Sequence, residues 1–530
     1  MTRTNDAPAG ERQKINGIEQ PDLLGVHERY AESHRQRFNM AGYAAPKLST
    51  VRVGIIGLGN RGPGHLRTLV QIEGVEIRGL CDKNPDKVEA ALKYVENTDH
   101  SPVLYTGGED EWKKLCDQPD IDLVFVTTPF YLHALMSICA MKQGKHVASE
   151  VPAAATLEEC WQLVQTAEET RRHLMMLENY SYMPFHLLTI NMARQGFFGE
   201  VVHGDGAYNT SKMSNNFGKT VYSDMWWLRQ YANRRGNIYP THGLGPICQV
   251  MNINRGDRLD YLVSVESNDF VMAKKAGELA ASDPDFEEFV GLEYRGNMNT
   301  TVIRTVQGRT IVLQHDASTP SPHNLIHGIH GTQGAALFDP EPPRISKGDH
   351  KWVSPEEFEK LKEQYTPEIY RKMGELASGS GHGGSDMLMD WHLIDCLHNG
   401  LPLDQDVYDA ASWSSIVPLS QWSVLNRSNS IDIPDFTAGA WATNPDNMDI
   451  QLDNGGATTR IIQARKAGSD ADDRLAQQWK RDHKGDAPVL RPRAKHEGER
   501  NAFLFNGRRL PPATLTPGAS PRPRTQFEGA

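Results

Sequence analysis

Short apolar segments alternate with amphipathic segments from residue 51 to residue 178. The apolar segments are rich in β-branched residues and are bounded by turn residues, so they predict strands with helices between them. These predicted strands cover residues 51–57, 75–81, 102–106, 122–128, 146–151 and 173–178. Regular alternation of strand and helix is typical of a parallel sheet that helices cover on both faces. The pattern therefore predicts an α/β fold with an N-terminal Rossmann domain over residues 51–178.

The pattern changes after residue 178, where longer segments alternate apolar and polar positions. The strands predicted here cover residues 261–272, 288–305, 310–317 and 325–338. Period-two alternation is typical of an antiparallel sheet with one face open to solvent. We predict a second, α+β domain over residues 179–440 that serves substrate binding and oligomerisation. Within it, residues 403–423 predict a helix that packs back on the Rossmann domain.

Both ends of the chain are more polar than the middle. Residues 1–50 contain one possible helix, over residues 24–37, and are predicted to form an arm on the body of the protein or on a neighbouring subunit. From about residue 441 the chain is rich in Pro, Arg, Asp and Gly. This composition predicts a polar C-terminal extension, 441–530, that is extended or disordered and carries no chemistry.

The first predicted strand runs into the sequence GLGNRG at residues 57–62, which has the spacing of a dinucleotide-binding fingerprint. Gly57 permits a tight turn, Gly59 lets backbone amides approach a pyrophosphate, and Gly62 lets the next helix pack closely on the sheet. Asp82 follows the second strand, twenty residues after Gly62. A carboxylate there binds an adenosine ribose and repels a 2′-phosphate, so the pattern predicts NAD rather than NADP. A glycine turn with an ordinary surface Asp is the less favoured interpretation.

Polar side chains also follow three other strands of this domain. Thr128 ends one strand and has His133 a helical turn later, Glu150 ends the next, and Asn179 follows the last. Because ligands bind outside the carboxyl ends of parallel strands, we expect these residues to converge on one crevice. Helix capping and turn chemistry explain Thr128 well, but they explain Glu150 less well because it leaves a buried strand.

The irregular segment 208–246 places aromatic residues and a histidine among Gly and Pro. It contains Trp226 and Trp227, and later Tyr239 and His242 in the sequence GNIYPTHGLGP. Such a segment is typical of a sugar pocket with a fixed backbone. Tyr239 and His242 are three residues apart at a helix entry and could point the same way, although a lone histidine is more often structural.

Four histidines at residues 315–330 raise the possibility of a metal site. His327 and His330 lie in one predicted strand and are separated by an odd number of residues, so they face opposite sides of the sheet. Their spacing matches no metal-binding helix or knuckle. We therefore predict no metal site.

The composition narrows the class of protein. A chain of 530 residues allows two or three domains, and 38% hydrophobic with 23% charged residues is typical of a soluble globular protein. The formal net charge of −11 argues against nucleic acid or an anionic membrane as a partner and is compatible with a neutral small molecule. The six cysteines form no CxxC pair, which indicates reduced thiols. No segment resembles a signal peptide or a membrane span, so we expect a cytoplasmic protein.

Several phrases of the sequence resemble known families. GLGNRG, VTTPFYLH, the strand-end Glu-x-Pro at residues 150–152 and MARQGFFGEV resemble the Gfo/Idh/MocA oxidoreductase superfamily. Within it, EVPAAATLEECWQLV, MMLENYSY, RGNIYPTHGLGP, MNINRGDRLDYLVS, GHGGSDMLMD and NGLPLDQDVYDAASWSSIVPLS resemble glycoside hydrolase family 109, the NAD-dependent α-N-acetylgalactosaminidase-like proteins. The resemblance covers roughly residues 50–440.

The resemblance implies a redox route to glycoside hydrolysis. In that route NAD removes a hydride from sugar C3, a base takes the acidified C2 proton, the aglycone leaves, water adds and the hydride returns. The resemblance implies that NAD is held by Gly57, Gly59, Asn60, Arg61, Gly62, Asp82, Thr128, His133, Glu150 and Asn179. It implies that His242 and Tyr239 line the sugar site as catalytic residues. Tyr180 is a further catalytic candidate, with Tyr182 as its alternative.

The sequence also departs from the superfamily. Val151 stands where sugar dehydrogenases have Lys, and Gly245 stands where they have an acid after the histidine, and both departures favour the hydrolase branch. Ser-Pro-His at 321–323 stands where Arg-Pro-Tyr is expected in the family. A plain NAD-dependent sugar oxidoreductase and a catalytically silent NAD-binding or sugar-sensing protein remain as alternatives. The expected partners are a small-molecule glycoside or sugar and a second copy of the chain, joined through the open sheet.

Overall fold

The computed structural model describes residues 13–96, 98–220, 222–339 and 342–462. Its strands are β1 (Lys14–Ile15), β2 (Ile18–Glu19), β3 (Val51–Ile56), β4 (Val75–Cys81), β5 (Val103–Tyr105), β6 (Leu123–Val126), β7 (His146–Ser149), β8 (Leu174–Met176), β9 (Val201–Asn209), β10 (Leu259–Glu266), β11 (Asn299–Thr305), β12 (Thr310–Asp316), β13 (His327–Gly331), β14 (Ala335–Phe338), β15 (Arg344–Ser346) and β16 (Ile431–Asp432). Its α-helices are α1 (Leu23–Ser33), α2 (Gly62–Leu69), α3 (Pro85–Leu92), α4 (Glu111–Cys116), α5 (His133–Lys142), α6 (Leu157–Thr170), α7 (Pro184–Arg194), α8 (Met213–Asn216), α9 (Trp226–Asn233), α10 (Thr241–Val250), α11 (Met272–Ala280), α12 (Pro355–Tyr365), α13 (Glu368–Ala377), α14 (Ser385–Asn399), α15 (Val407–Ser414) and α16 (Ile416–Leu425).

Strands β3 to β8 form a parallel sheet in the spatial order β5-β4-β3-β6-β7-β8. The central strands carry apolar side chains on both faces, and Val51, Val53 and Ile55 are fully buried, because helices cover both sides of the sheet. The order reverses direction between β3 and β6, which is where an open sheet of this kind binds its ligand. The predicted Rossmann fold is confirmed.

Strands β9 to β16 form a second sheet in the order β15-β14-β13-β9-β12-β11-β10-β16. Its neighbouring strands run antiparallel except β9 and β12, which are parallel. Helix α10 packs very closely on β9, since a Cβ at Gly206 would lie 2.2 Å from the Gly243 carbonyl oxygen. Glycines at this crossing therefore set the position of the helix that carries His242. The predicted α+β part with a mostly antiparallel sheet is confirmed.

Some predicted element bounds are wrong. The segment 325–338 is two strands, β13 and β14, joined by a tight turn in which Gly331 donates a hydrogen bond to the Gly334 carbonyl. The predicted strand 288–305 begins only at Asn299. The predicted helix 403–423 is two helices, α15 and α16, and the second has Pro418 in its first turn, where a missing N–H is tolerated.

Helix α15 packs against the Rossmann sheet. Ser414 accepts a hydrogen bond from the Ala153 amide at 3.1 Å, and the Tyr408 hydroxyl donates to Glu168 at 3.0 Å. The N-terminal arm lies on the same chain, because Tyr30 of α1 stacks on Trp161 of α6 with ring centroids 5.6 Å apart.

The start of the predicted C-terminal extension is packed on the body, contrary to the prediction. Met448 and Ile450 are buried, and the Ile462 amide donates a hydrogen bond to the Gln71 carbonyl at 2.8 Å. These scattered apolar residues are too few to stand out from the polar composition around them. The rest of the extension, from residue 463, lies outside the described residues.

Within the described ranges, no helix is long and apolar enough to cross a membrane. The cytoplasmic location stays a prediction.

Candidate active site

A cleft of about 780 Å³ opens at the carboxyl ends of the Rossmann strands and extends to the start of α10 and the end of β9. The residues predicted from the sequence that line it are Gly57, Gly59, Asn60, Arg61, Asp82, Thr128, His133, Glu150, Asn179, Tyr180, Tyr239 and His242. Gly62 lies directly behind the glycine turn. Tyr182 does not line the cleft, because its hydroxyl is buried against Asp404.

The turn at residues 57–62 forms a cradle at the start of α2 and requires glycine at two of its positions. Gly57 has a φ of +98°, and a Cβ there would lie 2.7 Å from the Thr127 backbone. A Cβ at Gly62 would lie 2.0 Å from the Gly57 carbonyl oxygen, so α2 could not start so close to the sheet with any other residue. Gly59 by contrast faces open space, with only the Lys87 ammonium 3.6 Å away. The turn fits a bound NAD, and Gly57, Gly59 and Gly62 stay predicted as the residues that hold its pyrophosphate.

The Asp82 carboxylate is held at the end of β4 by backbone amides. One oxygen accepts from Leu58 at 2.8 Å and the other from Asn84 at 2.9 Å. Each oxygen keeps lone pairs for further donors, so the group can accept ribose hydroxyls. Two lysines line the cleft nearby: Lys83 pairs with Glu109 at 3.2 Å, and Lys87 donates to Ser223 at 2.6 Å.

Glu150 belongs to a buried charge network at the floor of the cleft. Arg61 donates to Glu150 at 2.6 Å, and its two terminal guanidinium nitrogens donate to the two carboxylate oxygens of Asp386 at 3.0 and 3.1 Å. His65 lies between Glu150, at 2.9 Å from Nε2, and Asp390, at 2.8 Å from Nδ1. Asn179 donates to Asp386 at 2.7 Å.

The charges in this network fix the protonation of its members. Burial opposes ionisation of Glu150, but Arg61 and His65 outweigh it and hold the pKa of that carboxyl well below its usual range. Burial likewise opposes a charged His65, but Asp390 and Glu150 raise its pKa to about 10. Both ring nitrogens face carboxylates, so the ring carries two hydrogens and a positive charge. The network therefore joins α2, β7 and α14 in one rigid arrangement beneath the cofactor cradle.

The His133 ring supports the loops at two strand ends. It is buried, with Nδ1 2.8 Å from the Pro152 carbonyl oxygen and Nε2 2.8 Å from that of Thr128. Burial lowers the pKa of the imidazole. In this arrangement His133 positions the loops after β6 and β7, and its predicted contact with the cofactor stays a prediction.

His242 lies in the first turn of α10, with its ring at the cleft. Its Nδ1 is 2.9 Å from a carboxylate oxygen of Glu178, whose side chain is fully buried. A carboxylate accepts from a ring N–H, so Nε2 is the nitrogen left for a ligand. Gly245 makes this pair possible, since a Cβ there would lie 2.7 Å from Glu178 Cγ. The acid that the sequence lacks after the histidine is therefore supplied by Glu178, two residues after β8.

Three tyrosines surround His242. Its ring centroid lies 4.3 Å from that of Tyr180, 4.9 Å from Tyr239 and 5.1 Å from Tyr208. Burial raises the pKa of all three phenols, so each keeps its hydrogen at neutral pH. The arrangement offers one imidazole that can accept a proton and three hydroxyls that can donate hydrogen bonds.

Several residues of the cleft were not among the predicted site residues. Tyr208 follows from no local motif, although it lies next to the end of a strand. Lys212 places its ammonium 5.0 Å from the ring centroid of Tyr208. His382 lies in the GHGG turn before α14, with its ring centroid 5.8 Å from that of Tyr180 and its Nδ1 2.9 Å from a carboxylate oxygen of Asp386. Glu178, which pairs with His242 behind the cleft, was not among the predicted site residues either.

The structure places His327 and His330 on opposite faces of β13, one buried and one exposed, as predicted. In the part of the chain that the structure describes, no group of three or more His, Cys, Asp or Glu side chains could hold a metal ion.

Comparison with protein families matches both halves of the chain. Residues 51–178 match an oxidoreductase family with an NAD-binding Rossmann fold, and residues 182–443 match the C-terminal domain of glycosyl hydrolase 109. A glycosyl hydrolase family 109 protein of Shewanella pealeana is 44% identical over 420 residues, which are 76% of this chain and 89% of that protein. A protein of Shewanella oneidensis named alpha-N-acetylgalactosaminidase is 42% identical over 419 residues, with 76% and 88% coverage.

Solved structures with the same fold are more distant in sequence. Levoglucosan dehydrogenase in complex with NADH has a TM-score of 0.54 at 17% identity and covers 73% of this chain and 100% of its own. An oxidoreductase domain protein from Kribbella flavida has a TM-score of 0.54 at 16% identity, with the same coverage. Similarity at this level shows the shared fold.

Proposed function

Because the chain belongs to glycosyl hydrolase family 109 and is an NAD-dependent enzyme, we propose that it cleaves a glycoside by transient oxidation at sugar C3, elimination and water addition. The observation that carries the proposal is the imidazole of His242. It is backed by a fully buried carboxylate and opens into the same cleft as the cofactor cradle.

NAD, when bound, accepts a hydride from the sugar and later returns it, which makes the neighbouring C–H acidic in between. Gly57, Gly59 and Asp82 are the residues proposed to hold its pyrophosphate and ribose. The buried network of Arg61 and Glu150 would keep the cradle rigid, since its charges are fully paired without a ligand. Such preorganisation avoids a cost of ordering when the ligand binds.

His242 is proposed as the general base. Its Nε2 would take the hydroxyl proton of the sugar as the hydride leaves, and Glu178 would stabilise the resulting imidazolium across 2.9 Å. Tyr180 and Tyr239 keep their hydrogens, because burial raises both pKa values, so they would donate to sugar oxygens and to the departing aglycone oxygen. The imidazolium would release this first proton to water before the elimination, so that Nε2 can take the C2 proton and then pass it to the departing aglycone oxygen, while the two tyrosines supply hydrogen bonds only.

A screen of chromogenic glycosides with the NAD-loaded enzyme tests this function. The name of the Shewanella oneidensis relative makes an N-acetylgalactosaminide the first neutral substrate to try. Release of the aglycone without net formation of NADH, together with deuterium exchange at C2, is the expected result. Net NADH formed from a free sugar would instead select a sugar oxidoreductase. NAD binding with neither reaction would select a sensing protein.

We also propose that the open face of the second sheet joins two copies of the chain. Tyr261 and Val265 of β10 and Val302 of β11 are exposed on this face, with 37%, 56% and 38% of their surface accessible. A second copy presents the same apolar strip, which suits a twofold interface. Light scattering of the purified enzyme should show a dimer or a larger oligomer, and Val302→Glu should shift it towards the monomer. A monomeric wild type would contradict the proposal.

A further inference from the structure

Lys212 lines the end of the cleft that contains His242 and Tyr239, here called the sugar end, and its ammonium group has no charged partner there in the described part of the chain. Its backbone is fixed between β9 and α8, where its amide donates to the Ala317 carbonyl at 3.2 Å. The ammonium lies 5.0 Å from the ring centroid of Tyr208 and 5.9 Å from that of Tyr239, two of the three tyrosines that surround His242. Among the described residues, its ammonium group has no hydrogen-bond acceptor and no carboxylate within ion-pair distance.

The other lysines that line the cleft all have polar partners. Lys83 pairs with Glu109 and Asp224, Lys87 donates to Ser223, and Lys113 pairs with Asp110 at 2.8 Å. These partners lie around the Asp82 end, where the adenosine is predicted. Lys212 differs because its neighbours are aromatic rings rather than carboxylates.

Two charged groups that lie at the sugar end of the cleft are already paired. The positive charge of Arg61 is balanced by Glu150 and Asp386, and the carboxylate of Glu178 is used by His242. His323 adds no charge, since burial and the neighbouring Lys212 lower its pKa more than Asp339 raises it. Asp339 itself accepts from the Leu325 amide at 2.7 Å and does not line the cleft. The local charge that a substrate meets beside His242 is therefore the ammonium of Lys212.

We propose that the sugar which binds beside His242 carries a negative charge, a carboxylate or a sulfate ester, that pairs with Lys212. The inference rests on the proposed glycosidase function and adds its substrate class. An ammonium is a compact point charge that suits either anion, and its partly buried position strengthens the pairing. The net charge of −11 does not oppose this, because recognition depends on the local field of the cleft.

The test compares pairs of chromogenic glycosides that differ only in the charge. Suitable pairs are a glucuronide with a glucoside, a galacturonide with a galactoside, and a 6-sulfo-N-acetylgalactosaminide with an N-acetylgalactosaminide. They are assayed with the NAD-loaded wild type, Lys212→Gln and the control Lys219→Gln. Lys219 is an exposed lysine of the same segment that pairs with Asp283 at 2.7 Å and does not line the cleft.

We expect the wild type to favour at least one charged member in kcat/KM. In Lys212→Gln the ratio of charged to neutral kcat/KM should fall by roughly tenfold to a hundredfold, the scale of a lost hydrogen bond to a charged group. Added salt should reduce the wild-type ratio. Lys219→Gln should keep the wild-type ratio. The pair that shows the preference distinguishes a carboxylate from a sulfate.

Other outcomes separate this inference from the proposed function. Hydrolysis of the neutral members with no charge preference, or a preference that survives in Lys212→Gln, would overturn the inference and leave the glycosidase function standing. Loss of NAD from Lys212→Gln would show that the lysine serves the cofactor, and would also overturn it. If no glycoside is cleaved, the proposed function fails. Calorimetry with glucuronate, galactose 6-sulfate and their neutral parents then decides whether Lys212 selects charged sugars.

Discussion

Glu178→Gln is the substitution that separates chemistry from architecture at the cleft. Gln keeps the shape of the side chain and can still accept from the His242 ring through its carbonyl oxygen, but it removes the negative charge 2.9 Å from Nδ1. If His242 takes a proton during turnover, a positive charge forms against this group. The substitution should therefore lower the rate of the reaction step more than it lowers the stability of the resting enzyme.

The size of the effect follows from the burial of the pair. A hydrogen bond to a charged group contributes about 1.5–3 kcal/mol, and about 1.4 kcal/mol corresponds to tenfold in rate. Glu178 is fully buried, so water cannot replace the lost charge. We expect kcat to fall about tenfold to a hundredfold in Glu178→Gln. Removal of the base itself in His242→Ala should lower it about a hundredfold or more.

The assay measures aglycone release, deuterium exchange at C2 and NAD content in the two single variants and the double variant. Glu178 acts through His242 in our account, so its substitution should have little further effect once His242 is Ala. Glu168→Gln is the matched control, a buried carboxylate that faces His34 at 3.8 Å and lies outside the cleft. Multiplicative losses in the double variant would refute the coupling. Loss of NAD or of the fold in Glu178→Gln, with Glu168→Gln unaffected, would make the pair structural.

Two further predictions concern the cofactor cradle and the charge network. Asp82→Ala should weaken NAD binding and allow NADP to bind, because Lys83 and Lys87 remain beside the vacated position. Fluorescence titration measures the affinity for each cofactor. A wild type that binds NADP more tightly than NAD would contradict this prediction. In His65→Gln the free energy of unfolding should fall less steeply with rising pH than it does in the wild type. Although burial disfavours its charge, Asp390 and Glu150 raise the pKa of His65 to about 10, above the unfolded value of about 6.5. The stabilisation of the fold by the charged His65 is therefore complete below about pH 6.5. It is lost by up to about 1.4 kcal/mol per pH unit as the pH rises towards 10. Urea unfolding at pH 7 and pH 9 measures this slope, and equal slopes in both proteins would count against it.

The parts of the fold that the sequence predicted are those with local causes. The apolar segments of the Rossmann strands and the spacing of Gly57, Gly59 and Gly62 each depend on neighbours within a few residues. The boundaries that were missed lie where a short turn or irregular backbone interrupts an alternating pattern. The strand predicted over 325–338 is divided by the turn from Gly331 to Gly334, and the strand predicted from residue 288 starts only at Asn299, after the 3₁₀-helix Pro284–Phe289 and an irregular stretch.

The predicted site residues were found one by one, but their partners were not. His65 follows Arg61 by one helical turn, and Asp386 and Asp390 have the same spacing on α14. This spacing places each pair on one helix face without showing that the two helices meet across more than 300 residues of sequence. Lys212 and Tyr208 carry no motif at all. Their proximity to His242 follows from the parallel pairing of β9 with β12 and the close crossing of α10.

The position of the acid that backs His242 leads to a last prediction. His242 and Gly245 lie on the same face of α10, three residues apart, so an acid at 245 could face the ring. That space is occupied, since a Cβ at 245 would lie 2.7 Å from Glu178 Cγ and 3.0 Å from the Trp413 ring. Gly245→Asp alone should therefore destabilise the protein by about 1–3 kcal/mol and displace Glu178.

Removing the displaced side chain should restore the pair. In the double variant Gly245→Asp with Glu178→Ala, the new carboxylate gains the space that Glu178 leaves and can accept from Nδ1 of His242. We expect its melting temperature and its rate of aglycone release to exceed those of Gly245→Asp alone, and its rate to exceed that of Glu178→Ala alone. Gly245→Ala serves as the control for steric conflict without charge. A Gly245→Asp enzyme that folds and turns over like the wild type would show that the two acids do not compete for one site, and the assignment of Glu178 as the partner of His242 would then be wrong.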